Sequence, residues 1–392
     1  MKKLIIKFFY TLLFSVISLV LFSQCKKTPI EPKKKDDETN CNYEPGNRNF
    51  TWRIDTVAWW PSDLGGIWAF ADNDAYVMGN INQWKNGDME SYSGLHWNGN
   101  EWSTNISGGW DDVKHYSVDV TGDDYYMVSV GDLGPGSHTC GLAEFNNITK
   151  KWKGYQFQTE GTLYSVWTDK KGYYIAVGTN GMIYQKDGYA AEWVYSKAPT
   201  EFTFTKVTGI SKNEIYLFAD INLQSGNSFQ QIWKYSNNMF IKLLDNQDTT
   251  NTYIKIPESA GNITDIAVNR CKLTDTLQLY IVGSESYLLK DYKDKYKFHR
   301  TNLSYFGLPL SYSNYGASRV FVFSPDDYWI TGLKYNLFHW NGTDFYKTEP
   351  ISSLPYGEFT GLVWKMQKNS SGKIWMLLEN SSQVYTVLQG NP

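Results

Sequence analysis

A unit of four short strands repeats along this chain, and the repeat constrains the fold more than any other feature. It is clearest from Ile67 to Thr104, where four short runs with apolar or aromatic residues are separated by turn signals. Asp72-Asn73-Asp74 separates the first two runs, and Asn98-Gly99 separates the last two. Asn-Gly favours a two-residue hairpin turn in which both positions take positive φ. Four short antiparallel strands in roughly 40 residues are typical of one β-propeller blade.

The second strand of the unit usually begins with an aromatic residue and ends on glycine. Its copies are Tyr76–Gly79, Met127–Gly131, Tyr174–Gly178, Tyr216–Ala219, Tyr280–Gly283, Trp329–Gly332 and Trp375–Leu378. Seven copies predict an all-β, seven-bladed propeller of four-stranded antiparallel blades over residues 49–392. The content of Trp 16, Tyr 29 and Phe 20 also favours strands, because aromatic side chains pack well on pleated surfaces.

The last copy of the unit contains three strands and lacks the fourth. Ahead of the first blade, Phe50 to Asp55 has the pattern of an outer strand but no blade of its own. An open ring would leave two sheet edges unpaired. The sequence therefore predicts that this N-terminal strand pairs antiparallel with Val384 to Leu388 and closes the ring.

The N-terminus has the features of an export signal. Residues 1–24 begin with lysines and contain an apolar core from Phe8 to Phe22, which is short for a membrane-spanning helix. Leu21 to Cys25 resembles the end of a bacterial lipoprotein signal, although Gln24 stands where a small residue is usual. The resemblance implies that residues 1–24 are removed and Cys25 is lipidated. An ordinary secretory signal with an incidental cysteine is the alternative.

Residues 25–48 are charged and contain proline, with little to bury, so they predict a disordered tether. A lipid anchor at Cys25 with such a tether would hold the exported domain at the outer membrane or cell surface.

Blade one carries a family resemblance in three segments. Phe50 to Val57 (FTWRIDTV), Gly65 to Phe70 (GGIWAF) and Leu95 to Trp102 (LHWNGNEW) resemble a family of Bacteroidota propeller lipoproteins. Ala176 to Trp193 more distantly resembles the BNR-like repeats of photosystem II assembly-type propellers. Neither resemblance implies an activity.

Linear catalytic and metal-binding motifs are absent from the sequence. The five histidines are scattered, and none lies at metal-ligand spacing; His96 and His339 hold equivalent places beside a repeated Trp. No phosphate-binding or dinucleotide motif is present, so we expect no cofactor and no metal. Acidic pairs such as Asp72 and Asp74 are explained by turn chemistry.

The remaining composition limits the partners. Cys41, Cys140 and Cys271 are too few and too dispersed for a disulfide scaffold. A net charge of -3 with no basic block in the folded part argues against nucleic acid as a partner. We expect a monomer.

Function is expected in the long loops, since insertions rather than shared repeat features carry binding sites. Those loops contain aromatic side chains suited to stacking on sugars or docking proteins. The candidate ligand-binding residues are Trp60, Trp84, Trp110, Tyr305 and Tyr315. The first hypothesis is thus a surface binding module for a glycan or an envelope protein. The alternative is a glycoside hydrolase or lyase with its site at the central mouth, where a carboxylate pair would be invisible in the linear sequence.

Overall fold

The structure is a computed structural model. It describes residues 41, 43–104, 106, 116–132, 139–222, 228–246, 253, 262–283, 286–292, 295–300, 317–332, 337–348, 362–380 and 382–392. The expected signal peptide and Cys25 lie outside these residues. Regular structure in the described part consists of β strands and one short 3-10 turn, Thr179–Gly181. None of the described residues forms a helix long and apolar enough to cross a membrane.

The strands fall into four positions that recur along the chain. The first strands are β2 (Asp63–Ala71), β6 (Tyr116–Gly122), β10 (Leu163–Thr168), β14 (Thr203–Ser211), β18 (Asp265–Arg270), β22 (Ala317–Ser324) and β26 (Leu362–Lys368). The second strands are β3 (Asp74–Lys85), β7 (Tyr126–Asp132), β11 (Tyr173–Gly178), β15 (Glu214–Asn222), β19 (Leu277–Val282), β23 (Asp327–Gly332) and β27 (Ile374–Glu379). The third strands are β4 (Asp88–Trp97), β8 (Thr139–Asn146), β12 (Met182–Asp187), β16 (Ser228–Ser236), β20 (Ser286–Tyr292), β24 (Leu337–Trp340) and β28 (Tyr385–Asn391). The fourth strands are β5 (Trp102–Ser103), β9 (Lys151–Glu160), β13 (Val194–Lys197), β17 (Met239–Asp245), β21 (Lys295–Arg300), β25 (Phe345–Thr348) and β1 (Thr51–Ala58).

These strands form an all-β propeller with four-stranded antiparallel blades. The described residues contain seven such sheets, and we number the blades from β2–β5 (blade one) to β26–β28 with β1 (blade seven). Each first strand contacts the first strands of its two neighbours in cyclic order, and β26 contacts β2. The first strands therefore surround a central axis.

The outer strand of blade seven comes from the other end of the chain. β1 pairs antiparallel with β28, from Thr51 opposite Asn391 to Ala58 opposite Tyr385. Trp52 lies against Gly390, and Phe50, Trp52 and Ile54 pack on the apolar cluster between blades six and seven. Both ends of the chain thus contribute to one sheet.

The antiparallel strands divide the connections between two faces. The turn face carries the turns between first and second strands and between third and fourth strands, such as Asn73 and Asn98–Gly99 in blade one. The loop face carries the other connections, such as Trp59–Ser62 and Asn86–Gly87.

The hydrophobic core lies between neighbouring blades. Each first strand contributes a buried aliphatic residue to these layers: Ile67, Val120, Val166, Val207, Ile266, Val320 and Met366. The aromatic residue after the hairpin turn of blade one packs between two blades. The ring centroid of Trp102 lies 5.5 Å from that of Trp97 in its own blade and 6.3 Å from that of Trp375 in blade seven.

The folded unit begins earlier than predicted. It extends from Cys41 to Pro392, so the expectation of a disordered tether through residue 48 is wrong from Cys41 onward. Cys41 is buried and forms a disulfide with Cys271, a pairing that the sequence did not reveal. Residues 41–48 contain few apolar side chains to bury. The Cys41–Cys271 disulfide and hydrogen bonds to the turns of the propeller hold them in place instead.

The turn at Asn98-Gly99 also differs from the prediction. Gly99 has a φ of 93°, but Asn98 does not have a positive φ. Instead, Asn98 Oδ1 accepts hydrogen bonds from the backbone N–H groups of Asn100 and Glu101, each at 3.0 Å. Asn146 and Asn341 make the same bonds in blades two and six. Asparagine therefore serves as a side-chain cap of the turn.

Candidate functional site

The structure describes two of the five predicted ligand-binding residues. Trp60 and Trp84 lie on the loop face of blade one, and the two residues are 65% and 68% exposed. Trp110, Tyr305 and Tyr315 fall outside the described residues, as does Cys25.

Trp84 lies on a β ribbon that rises from blade one, where the sequence predicted a long loop. β3 and β4 continue past their neighbours: β2 pairs no further than Asn80, and β5 pairs only with His96 and Trp97. The ribbon ends at Asn86-Gly87, where both residues have positive φ (55° and 94°). This is the two-residue turn that Asn-Gly favours, so the dipeptide was the signal that could have revealed the ribbon.

Hydrogen bonds fasten this ribbon to the turn that carries Trp60. The backbone N–H of Asn82 donates to Ser62 Oγ at 2.9 Å, and Asn82 Nδ2 donates to the Pro61 carbonyl at 3.0 Å. Gln83 Nε2 donates to the Val57 carbonyl at 3.2 Å. Asn82 and Ser62 are buried, so the bond between them is shielded from water, and the three bonds together hold the two segments.

Four apolar side chains remain exposed on these two segments, and we call Trp59, Trp60, Trp84 and Met89 the blade-one patch. Trp84 pairs directly with Met89, so both lie on one face of the ribbon. Asn82 is two residues before Trp84 and therefore shares that face. The side chains of Asn82 and Gln83 bind Pro61 and Val57, so the ribbon is adjacent to the segment that carries Trp59 and Trp60. Trp60 and Trp84 therefore lie on neighbouring segments of the loop face.

The central mouth is surrounded by a ring of equivalent positions on the first strands. In each sheet the ring residue pairs with the last residue before the closing Gly, Ala or Leu of the second strand. The seven ring residues are Gly66, Asp119, Ser165, Lys206, Asp265, Arg319 and Lys365. No contiguous motif in the sequence contains them, because each blade contributes a single residue.

The ring acids are engaged by lysines. Lys365 Nζ binds Asp119 Oδ1 at 2.5 Å across blade one, where Gly66 places no side chain between them. Lys206 Nζ binds Asp265 Oδ1 at 3.1 Å. Burial works against the charged form of Asp119, but the positive charges of Lys365 and Lys206 outweigh it and hold the pKa of that carboxyl below its ordinary value. Asp119 is therefore an anion at neutral pH and cannot supply the proton of a general acid.

The remaining oxygens of the ring acids bind the next blade. Asp119 Oδ2 accepts from Ser165 Oγ at 2.9 Å and from the Val166 N–H at 3.1 Å. Asp265 Oδ2 accepts from the Val320 N–H at 3.1 Å. First strands have one edge without a strand partner, and these side chains satisfy its N–H groups. The ring therefore connects blades.

A cavity of about 380 Å³ extends along the axis from this ring toward the turn face. Trp68, Trp167 and Phe323 contribute to its walls, and Gln367 closes one side by two hydrogen bonds to the backbone of Ala69, at 2.6 and 2.8 Å. The described part of the chain contains no group of three or more His, Cys, Asp or Glu residues that could hold a metal ion.

His96 and His339 are structural residues of the repeat. Their Nε2 atoms lie 2.8 Å from Asp74 and 2.9 Å from Asp327, each the first residue of a second strand. Each imidazole stacks on an aromatic ring, Tyr76 or Trp329. This geometry accounts for their equivalent places in the sequence.

Known folds resemble this architecture. The structure titled "YCF48 bound to D1 peptide" is 11% identical with a TM-score of 0.56, covering 88% of this chain and 99% of that chain. U3-55K is 9% identical with a TM-score of 0.54 and the same coverage, 88% and 99%. YCF48 from Cyanidioschyzon merolae is 12% identical with a TM-score of 0.52, covering 86% and 98%. The chain is a β-propeller.

At these identities the likeness shows the fold alone. It agrees with the resemblance of Ala176 to Trp193 to photosystem II assembly-type propellers at the level of architecture. No protein-family model and no curated protein sequence matches the chain.

Proposed function

We propose that this protein is a binding module of the cell envelope that captures a protein partner through the blade-one patch. The observation that carries the proposal is the group of four exposed apolar side chains on two neighbouring segments that hydrogen bonds hold together. Soluble proteins rarely expose such side chains together unless the surface is an interaction site. A preorganised patch also loses little conformational entropy on binding.

A protein partner is favoured over a glycan because the side chains of Asn82 and Gln83, next to Trp84, are already engaged. Asn82 binds Ser62, Pro61 and Ser91, and Gln83 binds Val57. They are therefore not free to bind sugar hydroxyls. Met89 and exposed Trp side chains are typical of the apolar centre of protein interfaces.

Binding is also favoured over glycoside hydrolysis at the mouth. A glycoside hydrolase needs one carboxyl group that carries a proton and another that is free to act on the substrate. Asp119 and Asp265 each bind a lysine and a backbone N–H of the neighbouring blade. Their contacts support a structural role.

The disulfide supports export. Disulfides persist in oxidising compartments such as the periplasm or the cell surface, and Cys41–Cys271 joins residues 230 positions apart. We therefore propose that residues 1–24 are removed and that Cys25 carries a lipid at the outer membrane. Fatty-acid labelling of cells should mark the native protein and not Cys25→Ala; equal labelling would contradict the anchor.

The patch is tested by placing a photo-crosslinking amino acid at position 84 or at position 148 in living cells. Ile148 is 72% exposed on the turn face of blade two, so it is a matched exposed control. We expect a protein adduct from position 84 and none from position 148. The crosslinked protein is then purified and its affinity for Trp84→Ala measured.

Loss of an exposed aromatic anchor should weaken that affinity by about 1 to 3 kcal/mol. The melting temperature should hardly change, because the indole of Trp84 is mostly in solvent. Unchanged affinity for Trp84→Ala and for Met89→Ala would contradict the proposal. Selective binding to immobilised glycans that Trp84→Ala abolishes would replace the protein partner with a sugar.

A further inference from the structure

The N-terminal segment Cys41–Asn49 lies on the turn face of the propeller. Cys41 is bonded to Cys271, which lies in the turn between β18 and β19 of blade five. The Tyr43 hydroxyl donates to the carbonyl of Arg270, at the start of the same turn, at 3.1 Å. The chain is therefore bonded to blade five before β1 joins the sheet of blade seven.

The segment then crosses the turns of blade six. The backbone N–H groups of Tyr43 and Gly46 donate to Asp326, in the turn between β22 and β23, each at 3.3 Å. Arg48 binds the Asp344 side chain at 2.6 Å, in the turn between β24 and β25. Every one of these contacts is to the turn face.

β1 carries the chain from the turn face to the loop face. Its first residue, Thr51, pairs with Asn391 at the turn-face end of blade seven, and its last residue, Ala58, pairs with Tyr385 at the other end. Trp59 and Trp60 of the blade-one patch follow directly. An N-terminal strand in the outer position has to run in this direction, because the outer strand of every blade starts at the turn face.

The distance along the axis between the N-terminal contacts on the turn face and the blade-one patch on the loop face can be estimated from strand geometry. β1 has 8 residues, which span about 26 Å at ~3.3 Å per residue. The ribbon of β3 and β4 continues beyond the end of β2 and raises Trp84 further, by roughly 10 Å for three to four residues.

We infer that the chain enters the propeller on the turn face, opposite to the blade-one patch, so that an anchor held close to Cys41 leaves the patch facing away from the anchoring surface. Resting on the proposed function, this identifies the kind of partner: a protein that approaches from beyond the anchoring surface. A partner that lies within the same surface would face the turns of blades five and six instead.

Energy transfer to a membrane tests this polarity without a partner. The chain from Lys26 onward, with an N-terminal hexahistidine, is bound to vesicles that contain nickel-chelating lipid and an acceptor-labelled lipid. A donor dye is attached to Trp84→Cys or, as the turn-face control, to Ile148→Cys. Cys140 is buried and its pKa is raised to about 11, so it should not react with the dye.

Transfer from position 148 should exceed transfer from position 84 at least about twofold, because tens of ångströms separate their heights. The same order should persist after reduction of the disulfide, since the direction of β1 remains. Equal transfer, a reversed order, or loss of the order on reduction would overturn the inference. The proposed function can fail separately, because a patch without a partner would still give this order of transfer.

Discussion

At the scale of single residues, the two Asp–His pairs show how one repeat position is used in different surroundings. Asp327 is bound by His339 at 2.9 Å and by Lys368 at 2.6 Å, and its site is buried. Asp74 is bound by His96 and Lys150, but that site is partly open, with 27% of the His96 side chain exposed. An ion pair costs more to break where water is excluded, because the remaining partner is left as an uncompensated buried charge, whereas an exposed pair contributes little.

Asp327→Asn should therefore destabilise the protein by about 3 kcal/mol, and Asp74→Asn by about 1 kcal/mol or less. Urea unfolding at pH 7 measures both. Equal losses would show that burial does not set the difference.

The pH dependence of the same variants has a definite sign. Burial opposes ionisation of Asp327, but hydrogen bonds from His339 and Lys368 outweigh it and lower the pKa of the carboxyl group. The stabilisation from ionised Asp327 is complete above the pKa of an aspartate in the unfolded chain, which is about 4. It disappears as pH falls through the lower pKa of Asp327 in the folded protein. The native protein should thus lose more stability than Asp327→Asn between pH ~5 and pH ~2.

At the scale of elements, the N-terminal segment is the part that sequence patterns describe least well. Residues 41–48 have the composition of a disordered linker, yet Cys41 lies buried beside Gln278 with its sulfur bonded to Cys271. A crosslink between residues 230 positions apart restricts the unfolded chain strongly. The chain-entropy model puts that effect at about 5 kcal/mol for such a loop, and measured values are often lower.

We expect Cys41→Ser and Cys271→Ser each to lower the free energy of unfolding by about 2 to 5 kcal/mol. The double variant should lose no more than either single variant through this mechanism, because one bond is removed in every case. Dithiothreitol should destabilise the native protein similarly and leave the variants unaffected. A native protein that is insensitive to the reductant would refute this role of the disulfide.

At the scale of the whole molecule, the propeller is held as a ring by several kinds of contact. Apolar layers fill the space between blades, and Asp119, Ser165 and Asp265 hydrogen-bond to the next first strand. β1 completes the sheet of blade seven from the N-terminal side. The two chain ends therefore depend on each other.

A chain that begins at Trp59 should be less stable than Cys41→Ser by about 5 kcal/mol. It loses the disulfide and also the partial burial of Phe50, Trp52 and Ile54 together with the ladder of β1. Urea unfolding compares the two proteins, and a chain that begins at Cys41 is the matched control. A chain from Trp59 that unfolds like Cys41→Ser would show that β1 adds little to the ring.

The sequence alone determined the class of fold and the repeating blade, because strand alternation and turn dipeptides are local signals. It also selected Trp60 and Trp84, since aromatic residues in connections stand out from the repeat pattern. The tertiary structure alone decided which distant residues meet. The ring of first-strand residues, which includes Gly66 and Lys365, takes one residue from each blade. Cys41 forms a disulfide with Cys271 on the turn face, and Asn82 binds the ribbon to Ser62. These contacts depend on how blades curve around an axis, and no local pattern records that geometry.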